Sequence, residues 1–284
     1  MKWPLLILLI FSFISCSHGV RMPASLTDGE RHVVFDIDWT ISSEVDKFQI
    51  GQRIIEVEGK KYFIHDGLEE LIENLLQKEN TRISFFSGGS RLRNRAWLKQ
   101  IKLKDGRTLE DIAYKILGFE DLTSVSGALP TDKFSKRYKK DLSKISEDLS
   151  QLIMIEDTEH FVLNADQENN VLWLGKTFNH FENFEDAKMA SGEYVPRTVG
   201  EWSLARKKLM VLNGAFEQGL KDANSNGLTF REAMKNQEQQ LNFVSSEWNE
   251  YSLKMLTIKR AARPKALGNC RHLISSFLKQ EPAF

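Results

Sequence analysis

The stretch "VVFDIDWTIS", Val33 to Ser42, decides how the chain is read. The apolar run Val33-Val34-Phe35 has the pattern of a buried strand, and it stops at Asp36. Asp38 follows two positions on, and Thr40 two after that. On a strand, side chains two apart point to the same side. Two like charges held together at the end of a buried strand cost free energy unless a cation or a reaction uses them. Strand-end capping and turn formation is the bland alternative, and the rest of the chain weighs against it.

Working outward, "FQIGQRIIEVEGKKYFI" alternates apolar positions about Glu58-Gly59 and predicts a β-hairpin. In "DGLEELIENLLQ" the apolar residues Leu68, Leu71, Ile72, Leu75 and Leu76 share one helix face, with Asp66 placed to cap it. "RISFFSGG" is a second buried strand, followed by a helix from Ser90 to Ile101. "TLEDIAYKILG" predicts another helix ended by Gly118, and "DLSKISEDL" a short one. "QLIMIED" and "NVLWLGK" are a third and a fourth strand. Strands alternating with helices predict a Rossmann-like α/β fold with a three-layer parallel sheet, its active edge beyond the C-terminal strand ends.

That edge collects chemistry. Asp36 and Asp38 end the first strand, Ser87-Gly88 the second and Glu156-Asp157 the third, while Lys140 opens the helix in "YKKDLSKI". Carboxylates, a hydroxyl and a lysine in one cup suit phosphoryl transfer. Hard oxygen ligands from Asp36 and Asp157 suit Mg²⁺. Ser87 and Lys140 suit phosphate oxygens.

In these residues the chain resembles the haloacid dehalogenase superfamily of phosphatases, over residues 32–165. "DIDWT", "FFSGG", "YKKDL" and "MIED" look like its four motifs in order. The wording is closest to the branch of small C-terminal-domain phosphatases and nuclear-LIM-interactor-like phosphatases. His65-Asp66-Gly67 stands where that branch has Arg-Pro-Gly, and Trp39 replaces a small or acidic residue. The resemblance implies Asp36 as nucleophile, forming an aspartyl-phosphate, and Asp38 as general acid and base. It implies Mg²⁺ held by Asp36, Asp157 and the backbone carbonyl of Asp38, with Glu156 behind the metal ligands and Ser87, Gly88 and Lys140 on the phosphate. The spans between motifs are filled by the hairpin and helices already described, so no large cap is expected. Basic residues crowd the site, and Arg91, nearest Ser87, is the candidate to greet a phosphorylated substrate.

The chain has 284 residues, 41% hydrophobic and 27% charged, with a formal net charge of zero. This is the composition of an ordinary globular protein. The charge balance argues against bulk binding to nucleic acid. The opening "MKWPLLILLIFSFISC" has one Lys and then an apolar run shorter than the roughly 20 residues of a membrane span. "FISC" resembles a bacterial lipoprotein signal, which implies export and lipidation of Cys16 at a cell-envelope membrane. The other cysteine, Cys270, is then left without a partner and reads as a small buried hydrophobe.

The expected organisation is a signal peptide over 1–15, a linker over 16–31, the phosphatase domain over 32–185 and a helical region over 186–284. Within the last, "DANSNGLTFREA" starts like a Ca²⁺ loop with Asp222, Asn224 and Asn226, but position twelve is Ala233 and Glu232 comes one early. Weak Ca²⁺ binding and a plain polar turn both stay open. The expected function is Mg²⁺-dependent hydrolysis of a phosphate monoester, the substrate a phosphoprotein, or in the alternative a nucleotide or other small molecule. A non-catalytic envelope lipoprotein with a binding role is the rival from another class.

Overall fold

The computed structural model describes residues 29–45 and 53–258. The signal segment, Cys16 and Cys270 lie outside the described residues, and so does the hairpin's first part. In chain order the strands are β1 (Arg31–Phe35), β2 (Ser42–Glu44), β3 (Ile54–Val57), β4 (Lys60–Ile64), β5 (Thr81–Phe86), β6 (Ile116–Leu117), β7 (Thr123–Ser124), β8 (Tyr138–Lys139), β9 (Leu152–Glu156) and β10 (Val171–Trp173). The helices are α1 (Leu68–Leu76), α2 (Arg91–Leu98), α3 (Leu109–Ile112), α4 (Phe134–Arg137), α5 (Ala165–Glu168), α6 (Phe184–Met189), α7 (Val199–Asn226), α8 (Phe230–Leu241) and α9 (Glu250–Thr257).

The main sheet has the order β10-β9-β1-β5-β6, and its pairings are parallel. The fold is α/β. The chain leaves β1 toward β5 and β6, then returns on the other side to β9 and β10. The topological switch point therefore lies between β1 and β9, where such sheets open a crevice at their C-terminal ends. The hairpin is present as β3–β4, with Glu58 and Gly59 both at positive φ, 52° and 75°. Two positive φ values match the right-handed strand twist. With β2 it forms a small antiparallel sheet in the order β2-β4-β3 beside the β1 end.

The pleat divides the core in two. Val33, Phe35, Ile83, Phe85, Ile153 and Ile155 face one side, together with α1, α2 and the helices α7 to α9. Val34, Phe86, Leu152 and Met154 face the other, where Leu142 and Ile145 cover them from 3₁₀ turns. Leu209, Leu212, Phe216 and Leu220 of α7 are buried in the first cluster with Val33 and Phe35. The helices after residue 185 thus share the core of the sheet.

Several local expectations change. "TLEDIAYKILG" is not one helix. Ala113 turns extended after α3, and Ile116-Leu117 pair with Phe85-Phe86 as a fifth strand. Asp66 does not cap α1: Gly67, at φ 86°, holds that place without a side-chain bond, and Asp66 pairs with Arg206 of α7 at 3.1 Å. Lys140 does not open a helix. It follows β8, bridges to Val162, and precedes a 3₁₀ turn over Leu142–Lys144. No Ca²⁺ loop forms at Asp222, Asn224 and Asn226, because α7 runs through all three and ends at Gly227 in the left-handed conformation. Asp222 accepts from Gln218 and Gln237, each at 2.8 Å. Among the described residues no helix is long and apolar enough to cross a membrane.

Candidate active site

β1 carries Asp36 to the centre of the switch point. Its backbone N–H donates to the carbonyl of Ile155 on β9 at 3.0 Å, which fixes the register of the two acidic strand ends. Beyond it the chain folds back at once. The N–H groups of Ile41 and Ser42 both reach the Ile37 carbonyl at 3.1 Å, and Trp39 takes a left-handed φ of 62°. That conformation is unusual for a bulky side chain.

Lys140 is fully buried and donates to Asp36 Oδ1 at 2.7 Å and to Glu156 Oε2 at 2.6 Å. Burial works against its ammonium, yet Asp36 and Glu156 outweigh that, and its pKa is raised. Its charge lies 4.7 Å from the centre of the Phe161 ring. The second oxygen of Glu156 accepts from the N–H groups of Asp157, at 3.1 Å, and Thr158, at 3.0 Å. Glu156 therefore braces both the lysine and the turn that presents Asp157.

Carboxylate oxygens of Asp36, Glu156 and Asp157 all lie within 4.8 Å of one another, the one such group of potential metal ligands among the described residues. Burial first, then the Glu156 charge, pushes Asp157 well above the usual carboxylate range. Burial also raises Asp36, against the opposing pull of Lys140. Ligand oxygens around Mg²⁺, at ~2.1 Å from the ion, lie about 3 to 4 Å apart. A small inward adjustment of these carboxylates meets that requirement, so hard-cation ligation fits the donor set. Thr40 Oγ1 donates to Asp157 Oδ1 at 3.4 Å and ties the metal candidate to the loop after β1.

Asp38 has a different environment. Ser87, buried at the end of β5, donates to its Oδ2 at 2.8 Å. Arg93 donates to Oδ2 at 2.8 Å and also to Oδ1, so the guanidinium grips both oxygens. Arg93 stands on the first turn of α2, capped by Ser90, and stacks 5.0 Å from the centre of Tyr62 in the hairpin. Burial opposes its charge, but Asp38 raises its pKa further. The flanking glycine gives it room: a Cβ on Gly89 would sit 2.7 Å from Arg93 Nη1.

The structure thus gathers Asp36, Asp38, Ser87, Lys140, Glu156 and Asp157 at one edge of the sheet, with Gly88 beside Ser87. It does not bring Arg91 there. That side chain is exposed and pairs with Asp121 at 2.6 Å. Arg93 is the arginine that reaches the acids. The signal for it was present: in "RLRNRAWL" the residues Arg93, Asn94, Trp97 and Leu98 share the buried helix face, and Arg91 and Arg95 do not. Tyr62 was the other contributor that motif spacing left out, and Thr40, the last residue of "DIDWT", had no role assigned to it.

No family profile matches the sequence, and no curated protein matches it. Among solved structures the chain is similar to Fcp1, described as an essential RNA polymerase II CTD phosphatase. The identity is 13% and the TM-score 0.41, over 73% of this chain and 70% of that one. It is also similar to a variant of the fission yeast RNA polymerase II CTD phosphatase Fcp1 bound to beryllium fluoride. There the identity is 16% and the TM-score 0.37, over 80% of this chain and 61% of that one.

Proposed function

We propose that the chain is a phosphatase of the haloacid dehalogenase type, hydrolysing phosphate monoesters through an aspartyl-phosphate on Asp36. One observation carries the reading. Asp36 ends the central strand at the switch point, bonded to buried Lys140 at 2.7 Å and clustered with Asp157 and Glu156.

Lys140 fixes Oδ1 of Asp36, which orients the carboxylate so that Oδ2 attacks phosphorus as the bond to the leaving oxygen breaks. Asp36 and Asp157 would hold Mg²⁺, which when bound would offset the charge on the phosphoryl oxygens. Ser87 and Arg93 now serve Asp38, and an incoming phosphate competes with Asp38 for both donors. Asp38 released in this way carries a proton to the leaving oxygen. In the second half Asp38 takes a proton from water as that water attacks the phosphorus, releasing inorganic phosphate and restoring Asp36.

Export and lipid anchoring through Cys16 form part of the proposal on sequence grounds alone. The catalytic reading is tested with an aryl phosphate and Mg²⁺. The wild-type chain should release phosphate, and Asp36→Asn should lose about a thousandfold or more of kcat with its circular dichroism unchanged. Near-normal turnover by that variant would overturn the mechanism.

A further inference from the structure

Beside the acidic cluster lies a cavity of about 550 Å³, counting its open mouth. Its walls come from the loop after β1, the end of β4, the segment following β10, and α7. Thr40 belongs to both places: it lines the cavity and donates to Asp157. Trp39, next to Asp38, is a second shared wall, held in its left-handed conformation with its ring stacked 5.4 Å from Tyr194. A bulky residue in that backbone region marks a position the surroundings over-determine.

The lining is aromatic, with Phe63, Phe181 and Trp202 facing the same space. Arg206 is paired with Asp66 and donates to the Glu182 carbonyl, while buried Lys208 donates to the neutral Lys176 carbonyl at 2.6 Å. One polar group stands open. The His180 side chain is 4% exposed and stacks on Phe63 with ring centres 3.4 Å apart. Its Nε2 is buried without a hydrogen-bond partner, Glu182 being 3.5 Å away. Flat walls plus one buried ring nitrogen without a hydrogen-bond partner select a flat ring with a polar edge.

We infer that this cavity receives the ring of the substrate, so that the enzyme acts on phosphate monoesters whose alcohol carries a flat aromatic system. The inference rests on the phosphatase reading. An aryl alcohol and a nucleoside share this chemistry, and the test separates them.

The experiment compares kcat/KM for naphthyl phosphate, a nucleoside monophosphate and glycerol phosphate in the wild type, Ala205→Trp and Ala205→Leu. Ala205 lines the cavity from α7, so the larger side chains fill it. Aryl esters are intrinsically more reactive, so the wild-type preference alone decides nothing. The change in ratio does. Ala205→Trp should lower the ratio of one ring ester to glycerol phosphate at least tenfold, and Ala205→Leu should lower it less. Whichever ring ester responds identifies the source of the ring. Melting curves exclude misfolding, and Ala205→Leu serves if Ala205→Trp does not fold. His180→Leu should lower the ratio for the ester whose ring bears a polar edge. Ratios unchanged in all three variants would overturn the cavity assignment and leave the phosphatase standing. If the wild type hydrolyses none of the esters, the phosphatase reading and the cavity assignment fall together.

Discussion

At Asp38 a single arginine decides how the acid is presented. A guanidinium that grips both carboxylate oxygens does more than add charge, because the planar fork also fixes orientation. Arg93→Lys keeps the charge and loses the fork, and its kcat should fall about tenfold. Arg93→Met should fall about a hundredfold. If both variants match the wild type across the pH profile, the clamp has no part in catalysis. His32 makes a second residue-scale case. It is fully buried on β1, and neither ring nitrogen has a hydrogen-bond partner. Burial pushes its pKa down from 6.5 to about 4, with Glu30 pulling the other way. The folded state therefore binds fewer protons than the unfolded state between these values. Its stabilising effect is complete above the unfolded pKa and is lost as pH falls through that window, by up to roughly 3 kcal/mol. His32→Phe should move the acid-unfolding midpoint, followed by fluorescence, to lower pH. An unchanged midpoint would refute the assignment.

Helix α7 shows where element-scale reading succeeds and where it stops. Its apolar positions are legible in the sequence, because burial imposes the 3.6 period. Its C-terminus was not. The polar run Asp222 to Asn226 resembles a loop, yet Gly227 and the capping box of Thr229 with Glu232 place the break later. The short helix α3 failed for a different reason. Ile116 and Leu117 have ordinary helical neighbours, but the free edge of β5 offers them backbone pairing, which local propensity does not reveal. The acids were legible because strand ends and chemistry coincide, whereas Lys140 was read from its motif, on a helix whose place a 3₁₀ turn takes. Arg93 required the helix face to be counted residue by residue. Gly214 gives the test at this scale. In an isolated helix Gly→Ala adds about 1 kcal/mol of stability. Here a Cβ on Gly214 would lie 2.1 Å from the Met255 carbonyl oxygen, where α9 crosses α7. Gly214→Ala should instead destabilise by about 1 to 3 kcal/mol in urea melts. A gain in stability would mean that the helices do not cross this closely.

At the scale of the whole molecule, the larger of the two core clusters serves both the sheet and the helices that follow it. Leu204, Leu209, Leu212, Phe216, Phe230 and Leu241 all belong to the cluster that holds Val33, Phe35 and Phe85. At about 2 kcal/mol each, losing these six forfeits roughly 12 kcal/mol, comparable with the whole stability of a typical domain. A chain ended at residue 185 should therefore lack a cooperative thermal transition and bind a hydrophobic dye, although it keeps every acid of the site. A sharp transition in that fragment would show that the sheet stands alone.

The shared core also fixes an order of events during synthesis. Among the described elements β1 leaves the ribosome first and α9 last, so α1 and α2 can cover the central strand early, but α7 to α9 complete that cover only when nearly all the described chain has emerged. Through that interval Val33, Phe35 and their neighbours are open to wrong partners, and contacts this distant in sequence close slowly. The nascent chain is thus a natural client for a holding chaperone, and its yield in a cell should respond to chaperone supply more than to further stabilisation of the finished protein.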